Sequence, residues 1–114
     1  MSTALEQVLA ALDAQQVPER AVLKVAVKES LAALVEIAPG RSVEVRIPPF
    51  AAVQAIPGAT HRRGTPPAVV ETDPVTWLLL CAGRLTWSDA RASGKVQASG
   101  ERSDLSQWLP LKIA

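Results

Sequence analysis

The sequence predicts an α+β fold, in which a largely antiparallel or mixed sheet is covered on one side by helices and preceded by an N-terminal helical hairpin. Apolar residues recur with the period of a helix near both ends, whereas the period shortens to two in the middle of the chain. Clusters of proline and glycine separate these segments. At 114 residues, the chain has the length of a single domain over 1–114.

The helical hairpin is predicted over 3–37. Leu5, Val8 and Leu12 are spaced to share one face of a first helix, which extends over 3–16. Pro18 suits the first turn of a second helix, which ends before Gly40. The apolar stripe of this second helix comprises Val22, Val25, Ala26, Leu31, Leu34 and Val35.

Strands and a loop are predicted over 42–70. Val43, Val45 and Ile47 alternate with polar residues, as in a half-buried strand. The segment 50–56 is apolar on both faces, which predicts a second strand at a central position in the sheet. A long loop follows over 57–67, and residues 68–70 form a short strand.

Two helices are predicted over 74–94, a strand over 95–99 and a terminal helix over 104–110. Asp73 is a good N-cap for the first of these helices, and Pro74 fits its first turn. Thr86 begins the next helix through a Thr-x-x-Asp capping pattern. Val96 and Ala98 alternate as in a strand.

Composition excludes several classes of function. The chain is 48% hydrophobic and 20% charged with a net charge of +1, so neither disorder nor broad electrostatic binding to nucleic acid is expected. No secretory signal and no apolar run of membrane-spanning length is recognisable, which favours a cytoplasmic protein without integral membrane contact. Aromatic residues are scarce, at 4%.

The sequence predicts no enzyme and no cofactor. Cys81 is the only cysteine and His61 the only histidine, so neither an internal disulfide nor a common zinc site can form. No phosphate-binding glycine loop or nucleophile elbow is present. Glu71 and Asp73 lie two residues apart, but structural roles are favoured over acid–base chemistry because Asp73 is a predicted cap.

Two segments have alternative interpretations. His61, Arg62 and Arg63 form a basic cluster on the predicted loop, which is either an anion clamp for a ligand head group or, as we favour, a solvated surface.

The helix that contains Trp77, Leu80 and Cys81 is apolar nearly all round and is therefore enclosed. Periodicity alone favours the interpretation that this helix is an ordinary part of the hydrophobic core rather than the lid of a ligand cavity.

The second half resembles the sterol carrier protein 2 family. The resemblance lies in DPVTWLLLCAGRLTWSDA (73–90), GKVQASG (94–100) and the leucines of the terminal helix, and covers about residues 68–111. RGTPP (63–67) and ETDP (71–74) make the chain similar to short, single-domain actinobacterial members of that group. The resemblance implies a five-stranded sheet covered on one side by helices, with an apolar tunnel between them for fatty acyl chains or sterols.

The leading hypothesis is therefore a small non-enzymatic carrier of an apolar or amphipathic lipid, with Arg62 or Arg63 near its head group. The alternative is an interaction or regulatory module with a filled core and no ligand, which forms a homodimer through the outer faces of its first two helices. The residues expected to line the tunnel are Val45, Ile47, Val53, Ile56, Val70, Trp77, Leu80, Val96, Leu105, Trp108 and Leu109.

Overall fold

The computed structural model describes residues 3–58, 68–100 and 103–111. The helices are α1 (Thr3–Asp13), α2 (Arg20–Ile37), α3 (Pro74–Cys81) and α4 (Trp87–Ala92). The strands are β1 (Val43–Ile47), β2 (Ala51–Ala55), β3 (Ala68–Thr72) and β4 (Val96–Ser99), and one 3-10 turn spans Ser106–Trp108. The α+β class and the N-terminal pair of helices are confirmed.

The sheet is mixed and open, with the strand order β2-β1-β3-β4. β1 pairs antiparallel with β2 and parallel with β3, and β3 pairs antiparallel with β4. Val45 lies opposite Val53 on one side and Val70 on the other, so these side chains share one face. That face is covered by helices and is buried, whereas Arg46 and Glu71 on the opposite face are exposed.

Within the described ranges the sheet has four strands, not the five that the family resemblance implies. The second strand is also misplaced in the prediction, because β2 lies at an edge of the sheet. Ala52 and Gln54 are exposed, so the small apolar residues on both faces do not indicate a central strand.

The predicted terminal helix over 104–110 is wrong, because only the three-residue 3-10 turn forms there. Pro110 restricts the residue before it to extended conformations, and Leu109 is extended with a ψ of 144°. Asp104 further fixes the chain as a turn, since its Oδ1 accepts a hydrogen bond of 2.8 Å from the Ser106 backbone N–H.

The helices α3 and α4 begin at well-formed side-chain caps. The Asp73 carboxylate accepts hydrogen bonds from the backbone N–H and the hydroxyl of Thr76, at 3.0 and 2.6 Å. Thr86 accepts the backbone N–H of Asp89 at 3.1 Å, which begins α4. Both predicted caps are confirmed, and such caps typically contribute about 1 kcal/mol each.

The long helix α2 packs against α1, α3 and β2. Its buried residues are Ala26, Val27, Ser30, Leu31 and Leu34. The buried face of α2 is therefore rotated slightly from the predicted apolar stripe. Val27, which is not in that stripe, is fully buried, whereas Val25, which is in it, is 49% exposed. Among the described helices, none is both long enough and apolar enough to cross a membrane.

Candidate ligand-binding site

The residues predicted to line a tunnel converge on one apolar cluster between the sheet and the helices. Eight of them are at most 3% exposed: Val45, Ile47, Ile56, Val70, Trp77, Leu80, Val96 and Leu105. Val53, Trp108 and Leu109 are partly buried against the cluster. The fold thus brings all eleven residues into one continuous apolar region. Contact with a ligand remains a prediction for each of them.

A buried hydrogen-bond chain crosses the middle of this cluster. The indole Nε1 of Trp77 donates to the hydroxyl of Ser30 at 2.8 Å, and that hydroxyl donates to the Val27 carbonyl at 2.8 Å. Both side chains are at most 1% exposed. The N–H of Trp77 therefore has an acceptor inside the core, so this indole is fully satisfied without a ligand.

Cys81 lies in the same interior region, where burial raises the pKa of its thiol well above the usual range despite a hydrogen bond with Ser30. A thiolate is the nucleophilic form of cysteine, and at neutral pH this thiol stays protonated. Cys81 is therefore a small apolar core residue.

At one end of the cluster, a pocket of about 480 Å³ opens to the surface. Its volume lies within the range of small-molecule sites, about 300–1,000 Å³. Ile56 and Trp108 are the two predicted tunnel residues that line it. The complete lining is Ile56, Pro57, Asp104, Ser106, Gln107 and Trp108.

Trp108 differs from Trp77 in its hydrogen bonding. Its Nε1 is inaccessible to solvent and has no hydrogen-bond partner in the part of the chain that the structure describes. A buried donor without an acceptor costs about 1–3 kcal/mol. Since this nitrogen is closed to solvent, Trp108 lines the pocket through other atoms of the residue.

Ile56, which also lines the pocket, is held in a strained backbone conformation. Ile56 has a φ of 74°, a left-handed value that β-branched residues rarely adopt. Its N–H donates to the Ala38 carbonyl at 2.7 Å, and its carbonyl accepts the Ser42 hydroxyl at 2.7 Å. A Cβ added to Gly40 would lie 2.1 Å from that carbonyl oxygen, so only glycine allows this approach.

Asp104 is the only described lining residue with a charged side chain. Hydrogen bonds from Ser106 hold the pKa of this carboxyl below its usual value, and the nearby Arg91 contributes to the same shift. Asp104 is therefore ionised at neutral pH. Gln107 and Ser106 add uncharged polar groups at the same rim.

The predicted head-group residues Arg62 and Arg63, and His61 beside them, lie outside the described residues. Glu71 is on the exposed face of the sheet, with its Oε1 4.0 Å from Nη1 of Arg46. Asp73 caps α3, as its predicted structural role requires. In the described ranges, His, Cys, Asp and Glu side chains form no cluster able to hold a metal ion.

The sequence interpretation missed Ser30 and Asp104. Ser30 lies three residues after Val27 and four before Leu34, in the middle of the buried stripe. A hydroxyl at such a position signals a buried hydrogen-bond partner, although the partner itself lies far away in sequence. Asp104 appears in the sequence only as the first residue of the predicted terminal helix, because its place beside Ile56 and Trp108 depends on the tertiary fold.

An open mixed sheet with helices on one face and an apolar cluster between them fits the sterol-carrier-like class that the sequence resemblance implies. A family model described as bacterial SCP ortholog matches residues 19–111. Because the match covers most of the chain, the protein belongs to this bacterial SCP family, as its sequence resemblance predicted. No curated protein matches the sequence.

Proposed function

We propose that the protein is a non-enzymatic carrier of an apolar or amphipathic ligand, such as a fatty acyl chain or a sterol-like lipid. The pocket beside Ile56 and Trp108 carries this proposal, because Ile56 belongs to the apolar cluster and Trp108 packs against it. The ligand would enter there and extend toward the space between the sheet and the helices. Membership of the bacterial SCP family supports a lipid-carrier-like role.

Burial of the ligand tail sets the expected affinity. About twelve buried methylenes contribute roughly 10 kcal/mol, at about 0.8 kcal/mol each. Association costs at least about 4 kcal/mol, which leaves a Kd of some tens of micromolar. Hydrogen bonds at the rim of the pocket would strengthen binding beyond this value.

The chemistry of the described pocket residues supports a binding role without catalysis. Asp104 accepts a hydrogen bond from the Ser106 backbone and is held ionised, so it is a poor general base at neutral pH. The thiol of Cys81 is buried and protonated, away from this pocket. Enzymatic activity is therefore not part of the proposal.

The second candidate function is an interaction or regulatory module with a filled core. The observation that favours it is the closed region around Trp77, where the indole is 0% exposed and satisfied by Ser30. A groove between α1 and α2, lined in part by Val22 and Val25, would then be a surface for dimerisation. This candidate predicts a dimer without a bound lipid.

The test is a titration of delipidated protein with a fluorescent fatty acid analogue. The carrier predicts saturable binding that unlabelled lipid displaces, and at least tenfold weaker binding in Trp108→Arg, which fills the pocket with a charged side chain. Val25→Arg is the matched control, because the same side chain then occupies the exposed groove between α1 and α2. Its affinity for the analogue should be unchanged.

Native mass spectrometry of protein from its own host separates the two candidate functions. Co-purified lipid supports the carrier, and lipid-free dimers together with no saturable titration would overturn it. If Val25→Arg abolishes a dimer but leaves lipid binding intact, the groove and the pocket have separate roles.

A further inference from the structure

The outer face of α2 carries opposite charges along its two edges. Lys24 and Lys28 lie one helical turn apart and form a lysine edge, whereas Glu29 lies on the other edge and lines the groove between α1 and α2. Val25, which is 49% exposed, lies between the two edges. All three charged side chains are exposed, and none of them takes part in a salt bridge between described residues. The face therefore presents unpaired charges of both signs beside an apolar centre.

The single chain gains nothing from the row of cations on α2. Arg20, Lys24 and Lys28 are spaced at i, i+4 and i+8, and like charges at this spacing destabilise a helix. Arg20 lies against Phe50, with its guanidinium carbon 5.0 Å from the ring centroid, so it stays on this side of the helix. The row therefore favours a partner that brings negative charge to the face.

A second copy of this chain offers that charge together with a matching apolar surface. Ala21, Val25 and Ala32 are exposed and share the outer face of α2, and the groove beside them has a volume of about 640 Å³. Glu29 supplies the negative charge on the same face. An anionic lipid surface would attract the lysine edge but repel Glu29. The presence of both signs therefore favours a self-complementary contact.

Two-fold symmetry determines how the two α2 helices run. If they are antiparallel, the symmetry axis is perpendicular to them and places the two lysine edges side by side, which is repulsive. If they are parallel, the axis runs along them and places each lysine edge beside the Glu29 edge of the partner. With Val25 as a core a position, Lys24 is the preceding g and Glu29 the following e, the two positions that form salt bridges between the helices of a coiled coil.

We propose that the outer face of α2 binds a second copy of this chain, as a two-fold dimer in which the two α2 helices run parallel. Lys24 of each copy pairs with Glu29 of the partner subunit, and Val25 packs at the axis. The contact between two 18-residue helices is small, so the dimer is weak and dissociates on dilution. This inference rests on the dimer surface of the second candidate function and adds its orientation and contacts. It is compatible with a lipid in the pocket beside Trp108, because the groove and the pocket share no lining residue.

Sedimentation equilibrium of the full chain measures the dissociation constant of the dimer. Lys24→Glu should raise it about tenfold, because two attractive pairs per dimer become repulsive, and Glu29→Lys should do the same. The double variant reverses both charges and should bring the constant back to within about threefold of its original value. Lys95→Glu is the control, because it makes the same change in net charge at an exposed position outside α2. It should leave the constant unchanged.

Unfolding of α2 does not explain a loss of the dimer in Lys24→Glu. The new carboxylate lies four residues from both Arg20 and Lys28, so two like-charge pairs become opposite-charge pairs and the helix is stabilised. Thermal melting followed by circular dichroism checks this point, and the melting temperature should not fall.

Disulfide trapping tests the orientation of the two helices. Residue 32 meets its counterpart only in the parallel arrangement, whereas in an antiparallel pairing centred on Val25 it lies opposite residue 18. Ala32→Cys should therefore form disulfide-linked dimers under mild oxidation, and Lys95→Cys, the control, should not. Cys81 does not interfere, because its thiol is buried and protonated.

The outcomes separate this inference from the carrier function. A chain that stays monomeric, or a dimer unaffected by Lys24→Glu, would overturn it, and a dimer tightened by Lys24→Glu would show antiparallel helices and overturn it too. If the protein is monomeric and Lys24→Glu instead abolishes its co-sedimentation with phosphatidylglycerol vesicles, the lysine edge contacts a lipid surface and a second copy is not its partner. The titration with a fluorescent fatty acid analogue tests the carrier function independently of all these results.

Discussion

The interior around Trp77 and the pocket around Trp108 present the same side chain in two different states. The indole N–H of Trp77 donates to Ser30 within a closed core, whereas that of Trp108 has no acceptor among the described residues. A satisfied indole stabilises the fold, whereas a buried N–H without an acceptor reduces its stability. The two residues also differ in burial, because Trp77 is 0% exposed and Trp108 is only partly buried beside the surface pocket.

The largest expected effect is on folding stability at Trp77. Trp77→Ala removes a side chain that is 0% exposed and should lower the free energy of unfolding by about 3–5 kcal/mol. Trp108→Ala should cost less than about 2 kcal/mol, because Trp108 is only partly buried. Urea unfolding followed by far-UV circular dichroism measures both values.

Equal losses for the two alanine variants would contradict the distinction between core and pocket. If Trp77→Ala is too unstable to purify, Trp77→Phe gives the same comparison with a smaller change. That variant removes the hydrogen bond to Ser30 and part of the ring, but it leaves most of the apolar contact in place.

A smaller effect is expected at Ser30, the acceptor for Trp77. Ser30→Ala leaves the buried N–H of Trp77 without its partner, so the free energy of unfolding should fall by about 1–3 kcal/mol. When combined with Trp77→Phe, it should cost about 1 kcal/mol less than the sum of the single changes, because both remove the same hydrogen bond. Additive losses would show that this bond contributes nothing to stability. Ser88→Ala, on the exposed side of α4, should change stability by less than about 0.5 kcal/mol.

Much of the fold was predictable because it depends on local pattern. The spacing of apolar residues located α1 and α2, and the capping residues Asp73 and Thr86 located α3 and α4. The position of β2 was not predictable in this way, since small apolar residues such as Ala52 fit an edge strand as well as a central one. Local periodicity does not determine the neighbours of a strand.

The different environments of Trp77 and Trp108 could likewise not be predicted from the local sequence pattern. Trp77 and Trp108 both lie in apolar segments that suggest contact with the core. The acceptor for Trp77 is Ser30, 47 residues away, and the strained residue Ile56 lines the same pocket as Trp108. Both features arise from tertiary contacts, so the sequence indicated an apolar region but not which part of it is closed.

The smallest expected effect is also the most direct comparison of the two indoles. Trp108→Phe replaces an unpartnered buried N–H with an apolar ring edge, which removes a desolvation cost but also some packing. These contributions oppose each other, so the free energy of unfolding should change by less than about 1 kcal/mol. Trp77→Phe should lower it by about 1–3 kcal/mol, because Ser30 then loses its donor and the ring leaves a gap in the core. A loss at Trp108 as large as that at Trp77 would mean that its N–H is already satisfied in the ligand-free protein, and Trp108 would then be a core residue like Trp77.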